Sequence, residues 1–489
     1  MFFIIFFTID KIMSSDSALS YNKNAQSNQS TYRMVKYTPL QGSSLTQGNS
    51  EVPVTFSLPG SDVYNLSKSY ISWDQLNVLN AACTVYRVGA IPWNRIRLLS
   101  SNSVVIAEVS DVDVFSKTVS PANNPVGNYL TKSPVFPATT VAGVIGTNYF
   151  GAPCGNIPAA STALTSHAAF VQDNNAGVGV VDGVTNVPSL TLGVSHSHEE
   201  KQEYVVSTAG AAIATRNCVM FDRFCHTLLG LNKNIYTGSI YTLEIYWQPK
   251  DKSGYICTAV GDIVTGAASA AADTAVTNIS LYLAVEMTSA NIAKARSDFA
   301  ENKMNFIVPF VQGYNFALGA GSFGNYTINL TAGLGKTLLR VYTTVILAAN
   351  TLALAGNSTN HGGTKKVSSY QTQLDSFLLS NQFLDCTDRQ DYKYNLKHLV
   401  GSELLIGGEI GYQNKSLYID NFGQSSPACG DSDHESWSKM DDSLSGIDLD
   451  QVARLYSFSA NKTSVNHVAL VWAVLQRQIS INNQGASWV

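Results

Sequence analysis

Charge is what this 489-residue chain has least of. Lys, Arg, Asp and Glu make up 13% of it, against about 25% in ordinary soluble domains. Much of its surface must therefore be Ser, Thr, Asn, Gln, Gly and Ala. Such a surface favours close packing of like subunits, because self-repulsion is small. No run of Lys or Arg stands out and the net charge is −4. That excludes the concentrated basic footprint which direct, strong nucleic-acid binding needs. The seven cysteines, Cys83, Cys154, Cys218, Cys225, Cys257, Cys386 and Cys429, are odd in number, and no CxxC occurs. This argues against a disulfide scaffold or a zinc ribbon and for folding in a reducing compartment. The apolar start, MFFIIFFTIDKIM, is shorter than the about 20 residues that span a bilayer. It also lacks the basic n-region and small-residue cleavage site of a signal peptide. Met13 reads as the working start, which makes residues 1–12 dispensable for folding.

Catalytic motifs are missing as well. Neither GxSxG nor HExxH is present. AGLGKT, Ala332 to Thr337, resembles the end of a phosphate-binding loop. The full pattern needs a glycine where Leu330 stands, and a helix where TLLRVYTTVIL reads as a strand. A turn between strands is the expectation, with Lys336 serving no phosphate. HSHEE offers His196, His198, Glu199 and Glu200, but spacing indicates no further ligand. DSDHESW, Asp431 to Trp437, shares only acidity with a calcium loop. Cys218 and Cys225 sit in apolar strand text, where a packed thiol is the default. The sequence thus nominates no catalytic, cofactor-binding or metal-ligating residue. Sequons at Asn65, Asn325, Asn329, Asn357 and Asn461 are what chance gives in a Ser/Thr/Asn-rich chain.

What is present is a period of two. In EVPVTFSL, Val52, Val54, Phe56 and Leu58 face one way; in NYTINLTA, Tyr326, Ile328 and Leu330 do. This is the pattern of strands with one buried and one wet face. YTGSIYTLEIYW repeats it with Tyr241, Leu243, Ile245 and Trp247. NISLYLAVEM repeats it with Ile279, Leu281, Leu283, Val285 and Met287. Further strands are read at SYISWDQLNVL, WNRIRLL, SVVIAEV, KQEYVVST, TRNCVMFDRF, TLLRVYTTVIL and VNHVALVWAVLQRQISI. SSNS, between WNRIRLL and SVVIAEV, suits a tight turn. Pro309 in MNFIVPFV marks an edge strand or a bulge. Two helices are expected: a short one capped by the pair Ser110 and Asp113, and SANIAKARSDFAENK, capped by Ser289, with Ile292, Ala295 and Phe299 on one side. SYQTQLDSFLLSNQFL and DYKYNLKHLV lean helical.

The two series divide the chain. Residues 1–47 read as a polar N-terminal arm. Residues 48–298 form a first unit, with a Pro/Gly/Ala/Asn-rich surface excursion over about 121–193. Residues 299–489 form a second unit. LLGLNKNIYTGSIYTLEIYW and GIDLDQVARLYSFSANKTSVNHVALVW share a pattern: a Gly-Leu/Ile segment, then an Asn/Lys/Thr turn, then a long apolar strand ending in Trp. We read them as counterparts in a repeat.

The order of YISWDQLNVLNAACTVYRVGAIPWNRIRLLSSNSVVIAEVSDVDVFSK, DYKYNLKHLVGSELL, GIDLDQVARLYSF and VALVWAVLQRQISINN resembles the double jelly-roll major capsid proteins of virophages and polinton-like viruses, in the wider lineage that includes adenovirus-type capsids. The resemblance spans most of the chain from Glu51 onward and is weakest over Pro121 to Gly193. It implies an all-β fold of two tandem eight-stranded jelly rolls, with short helices in loops and a linker helix. It implies a structural protein without enzymatic activity, cofactor or metal. It further implies a homotrimeric, pseudo-hexameric capsomer that tiles the icosahedral capsid of a double-stranded DNA virus, with the 121–193 excursion as an outward tower. Neighbouring capsomers, penton and minor capsid proteins would be its partners. Its place would be the virion, assembled inside the infected host cell. The arm from Met13 to Gln47 carries only Lys23, Arg33 and Lys36 as bases, opposed by Asp16. An internal membrane or a separate basic protein would then lie between shell and genome. The rival reading is a secreted or cell-surface carbohydrate-binding β-sandwich protein. A third, a jelly-roll glycoside hydrolase, would need two carboxylates facing one cleft.

Overall fold

The computed structural model describes residues 30–46, 50–78, 83–86, 91–123, 135–136, 204–207, 212–248, 256–257, 273–331, 336–348, 367–386, 390, 417–422 and 446–488. Sixteen strands build its two halves. In chain order the first half has β1 (Tyr32–Tyr37), β2 (Val52–Leu58), β3 (Val63–Val78), β4 (Trp93–Leu99), β5 (Val105–Ser110), β6 (Ala212–Met220), β7 (Tyr241–Trp247) and β8 (Asp273–Glu286). The second half has β9 (Asn305–Ala317), β10 (Phe323–Leu330), β11 (Thr337–Leu347), β12 (Val367–Leu374), β13, β14 (Leu417–Asn421), β15 (Arg454–Lys462) and β16 (His467–Asn482). Strand β13 is interrupted. Its pieces, Phe377–Leu378 and Leu384–Asp385, lie along the same strand, β12.

The halves share one topology. The first stacks a sheet of order β1-β8-β3-β6 on one of order β2-β7-β4-β5; the second stacks β9-β16-β11-β14 on β10-β15-β12-β13. Each strand of the second half takes the place of the strand eight earlier. This is a jelly roll written twice. Short strands extend the sheets: Leu45–Thr46 on β8, Asn234–Tyr236 on β3, Val135–Phe136 on β6, Ile447–Asp448 on β11 and Gly485–Trp488 on β16. Cys83–Tyr86, Tyr204–Ser207 and Ile256–Cys257 form a separate three-stranded sheet.

The period of two does what the sequence demands of it. In β2, Val54, Phe56 and Leu58 are buried; in β7, Tyr241, Leu243, Ile245 and Trp247; in β10, Tyr326, Ile328 and Leu330. Each such side chain contributes on the order of 1.5–3 kcal/mol by leaving water. Pro309 lies in β9, at the edge of its sheet, opposite Gln476 with no break in register. An edge strand can spare the missing N–H.

Several expectations need correction. Met287 does not join the buried face of NISLYLAVEM: β8 ends at Glu286, and Met287 is 48% exposed. Ser110 and Asp113 do not form a capping box. Ser110 closes β5, and α1 (Val112–Asn123) starts from Asp111, whose carbonyl accepts the Phe115 N–H. The Asp113 carboxylate is buried and accepts the Ile91 N–H at 2.9 Å. SYQTQLDSFLLSNQFL is not helical; it makes β12 and β13. Part of the arm belongs to the first roll, because Tyr32–Tyr37 pairs with β8 along its whole length. The proposed sequence counterparts are also out of step by one strand. Trp247 ends β7, whose structural counterpart is β15, whereas Trp472 lies in β16, the counterpart of β8. The repeat itself stands, on strand order.

The linker α2 (Ser289–Ala300) joins β8 to β9. Its N-cap position is Thr288, one residue before the expected Ser289, with no side-chain capping bond, and it turns Phe299 into the core against Tyr236. DYKYNLKHLV and nearly all of the 121–193 excursion fall outside the described residues, as do HSHEE and DSDHESW.

Candidate assembly surface

One joint and two outer faces are the candidate surfaces. The joint lies inside the chain, between the rolls. Across β16, β11 and β14 the outward face of the second roll's first sheet does not meet water, while the edge strand β9 stays exposed at Gly313, Asn315 and Ala317. Across this sheet runs a row of neighbours, Gly313–Trp472–Tyr342–Ile419. Trp472, Tyr342 and Ile419 are almost wholly buried beneath the first roll. Phe115 of α1 packs edge-on to Trp472 at 5.6 Å, and the Trp472 Nε1–H donates to the Ser110 carbonyl at 3.1 Å. His226 Nε2 lies 3.1 Å from the Tyr342 hydroxyl, which also accepts from Arg340 Nη1. A side chain at position 313 would strike Ser110, since a Cβ there would sit 2.0 Å from its Oγ. Nearer the end of β16, Asn102 Nδ2 donates to the Ala486 carbonyl and Trp488 Nε1 to that of Val105. Strand β16 is thus buried on both faces, which explains its unbroken apolar run, VALVWAVL.

Asp111 sits at this joint with φ +50°. Burial pushes its carboxyl up to about 6. At the other end of the first roll Glu286 does the opposite. Burial pushes it up, but the Thr288 N–H and the side chains of Ser30, Thr288 and Asn234 more than offset that, and hold it at about 2. Its Oε1 also takes the N–H groups of Thr31 and Met287. One carboxylate thereby ties β1, β8 and the start of α2 together.

The outer faces of the other two sheets differ. On the β2-β7-β4-β5 sheet Arg97 Nε meets Glu244 Oε2 at 2.5 Å, and Arg95 lies near Glu108 and over the Tyr246 ring. On the β10-β15-β12-β13 sheet the corresponding positions are Asn325, Thr327, Asn329, Ser457, Ser459 and Gln371. Thr327 and Ser457 hydroxyls lie 3.0 Å apart, and Asn461 donates to Ser369. Exposed apolar residues flank this uncharged face: Phe323 at one end, and Phe377 at 72%, Leu378 and Leu455 at the other.

The chemistry-bearing motifs fare as follows. Thr337 begins β11, so AGLGKT leads into a strand, and the Lys336 carbonyl accepts the Leu449 N–H. Residues 332–335 lie outside the described residues. Cys218, Cys225 and Cys386 are buried thiols. Burial pushes the Cys218 thiol, foremost, and the nearby Asp222 carboxylate adds to this, up to about 12. Among the described residues no group of three His, Cys, Asp or Glu side chains could hold a metal. Asn65 of the first sequon is buried and bonded to Asn232.

The fold defines a double jelly-roll protein. No family model matches the chain, and no curated protein matches it. Solved structures do. The Faustovirus major capsid protein aligns over 93% of this chain and 91% of its own, with a TM-score of 0.51 at 9% identity. A quasi-atomic model of the PBCV-1 virus capsid aligns over 94% and 97%, with a TM-score of 0.50 at 9% identity. The mavirus major capsid protein aligns over 96% and 94%, with a TM-score of 0.46 at 9% identity. The architecture is that of viral double jelly-roll capsid proteins.

Proposed function

We propose that this chain is the major capsid protein of a double-stranded DNA virus. Three copies form a homotrimeric capsomer of pseudo-hexameric outline, which tiles an icosahedral shell. The observation that carries this reading is the repeated strand order: two rolls of one design in one chain give a trimer six similar lobes. The uncharged outward positions of β10, β15 and β12 and the low overall charge support it, since like subunits then approach with little repulsion. The fold shared with the Faustovirus capsid protein points the same way. The chain has no enzymatic task in this reading. Its partners are neighbouring capsomers and penton and minor capsid proteins, with an internal membrane or a separate basic protein between shell and genome; its place is the virion, after assembly inside the host cell. It does not hold the genome directly.

Negative-stain microscopy of the purified protein tests this. Six-lobed particles are expected. Isolated two-lobed particles at every concentration would refute it. Filter binding to duplex DNA at ~150 mM salt should give no affinity tighter than the ~10⁻⁶ M limit of non-specific binders.

A further inference from the structure

Two like charges stand opposite each other at one end of the second roll. Thr337 of β11 pairs with Gln476 of β16, and Leu338 with Leu475. Carried one step outward, the register sets Lys336 against Arg477. Leu338 and Leu475 are buried in the second core, and alternate residues of a strand share a face. Lys336 and Arg477 therefore emerge on that same face, at the mouth of the roll, and both are half-buried. Directly opposed like charges destabilise a sheet. Among the described residues neither side chain has an acidic partner or a hydrogen-bond acceptor, and the Arg477 Nε–H is buried without one. Asp448, on the neighbouring short strand, pairs with Thr337 and so faces the other side of the sheet.

Arg477 is nevertheless held in place. Its guanidinium lies 4.1 Å from the centroid of the Trp488 ring and 5.4 Å from that of Phe310, and these two rings pack edge-on at 5.4 Å. Trp488 is tied in turn to the first roll through the Val105 carbonyl. Stacking occupies the flat side of a guanidinium and leaves its N–H edge for a ligand. Burial lowers Arg477 to about 10. At Lys336 burial, and after it the Arg477 charge, lower the ammonium as well. An anion at the mouth would offset both effects.

Two positive charges side by side match a dianion better than a carboxylate, which brings one negative charge. Arg supplies a planar fork of donors and Lys a point charge, and both are binders of phosphate oxygens. We propose that Lys336 and Arg477 together hold a phosphate dianion, either inorganic phosphate or the phosphomonoester headgroup of a lipid. This replaces the expectation that Lys336 serves no phosphate. The nucleotide-loop pattern stays broken at Leu330; what brings Lys336 to an anion is its place opposite Arg477.

Thermal unfolding of the full chain, with chloride exchanged for inorganic phosphate at constant ionic strength, tests this. The wild type should show a saturable rise in Tm, since a ligand that binds only the folded state stabilises it by mass action. Lys336→Ala and Arg477→Met should each weaken the apparent affinity by at least about tenfold, the loss of one charge-assisted hydrogen bond. In chloride alone Lys336→Ala should be no less stable than the wild type, because a repulsion is gone. The general effect of excluded phosphate does not saturate and is common to all three proteins. No saturable rise in the wild type, or the same rise in Lys336→Ala, would overturn the site, even if Arg477→Met failed to fold. Flotation with phosphatidic acid vesicles, against phosphatidylcholine vesicles, identifies the source. Binding that Lys336→Ala loses supports the lipid headgroup; a saturable Tm rise without vesicle binding supports the free ion.

Discussion

The two rolls share a strand order but not an interior. The first core is filled by indoles: Trp73, Trp93 and Trp247 lie 5.3–6.1 Å apart between ring centroids and are buried without residue. The second is filled by phenols: Tyr326, Tyr370 and Tyr418 surround Phe458, Tyr456 packs against Tyr326, and a carboxylate, Asp420, is buried in the same core. Tyr456 donates to Asp420 Oδ2 at 2.6 Å and Thr372 to Oδ1 at 3.1 Å. A jelly roll thus accepts either a dry core or a hydrogen-bonded one. Topology is set by which positions alternate inward, and only then by what fills them.

The largest test removes bulk from the dry core. Trp73→Ala should cost about 3–5 kcal/mol, the transfer energy plus the cavity its neighbours cannot fill, read by chemical denaturation. A loss under about 1 kcal/mol would mean that the indole cluster is not the first roll's anchor.

Next comes a contrast between hydroxyls. Tyr456→Phe removes a donor from a buried carboxylate and should cost about 1–3 kcal/mol. Tyr241→Phe, in the first core, removes a buried hydroxyl with no hydrogen-bond partner, so it should be neutral or stabilising. Equal losses in the two variants would erase the distinction between the cores.

Acidity separates the joint from the first roll's far end. The folded-state value of Glu286 is depressed to about 2 from 4.5, so its contribution is complete above pH 4.5 and lost as pH falls toward 2. Glu286→Gln should therefore cost stability at pH 7 and less at pH 2. Asp111 is raised to about 6 from 3.8, so stability falls as pH rises between those values. Asp111→Asn, which tolerates the positive φ, should gain on the order of 1–2 kcal/mol at pH 7 and nothing below pH 4. Opposite pH trends in the two variants are the expected result.

The smallest effect concerns the outer faces. Glu244→Gln on the charged sheet should cost about 0.2–1 kcal/mol, less at high salt. Ser457→Ala on the uncharged sheet should show no salt dependence.

How far the sequence carried the fold can be traced strand by strand. Strands β2, β7 and β10 were legible because each has one wet face, so polar and apolar residues alternate. Strand β16 was legible as a strand but not in its place, because burial on both faces erases the alternation that would distinguish it from β8 or β15. Strand β12 was misread because Thr372 occupies an inward position between Tyr370 and Leu374. Its hydroxyl is there for Asp420, and a polar residue at a core position hides a period of two.

The proposed capsomer requires three copies of the chain to meet. Light scattering of the purified protein over a dilution series measures that most directly. The account predicts particles of three chains that persist on dilution, as an interface of more than about 2,000 Å² would ensure. A monodisperse single chain at every concentration would contradict it.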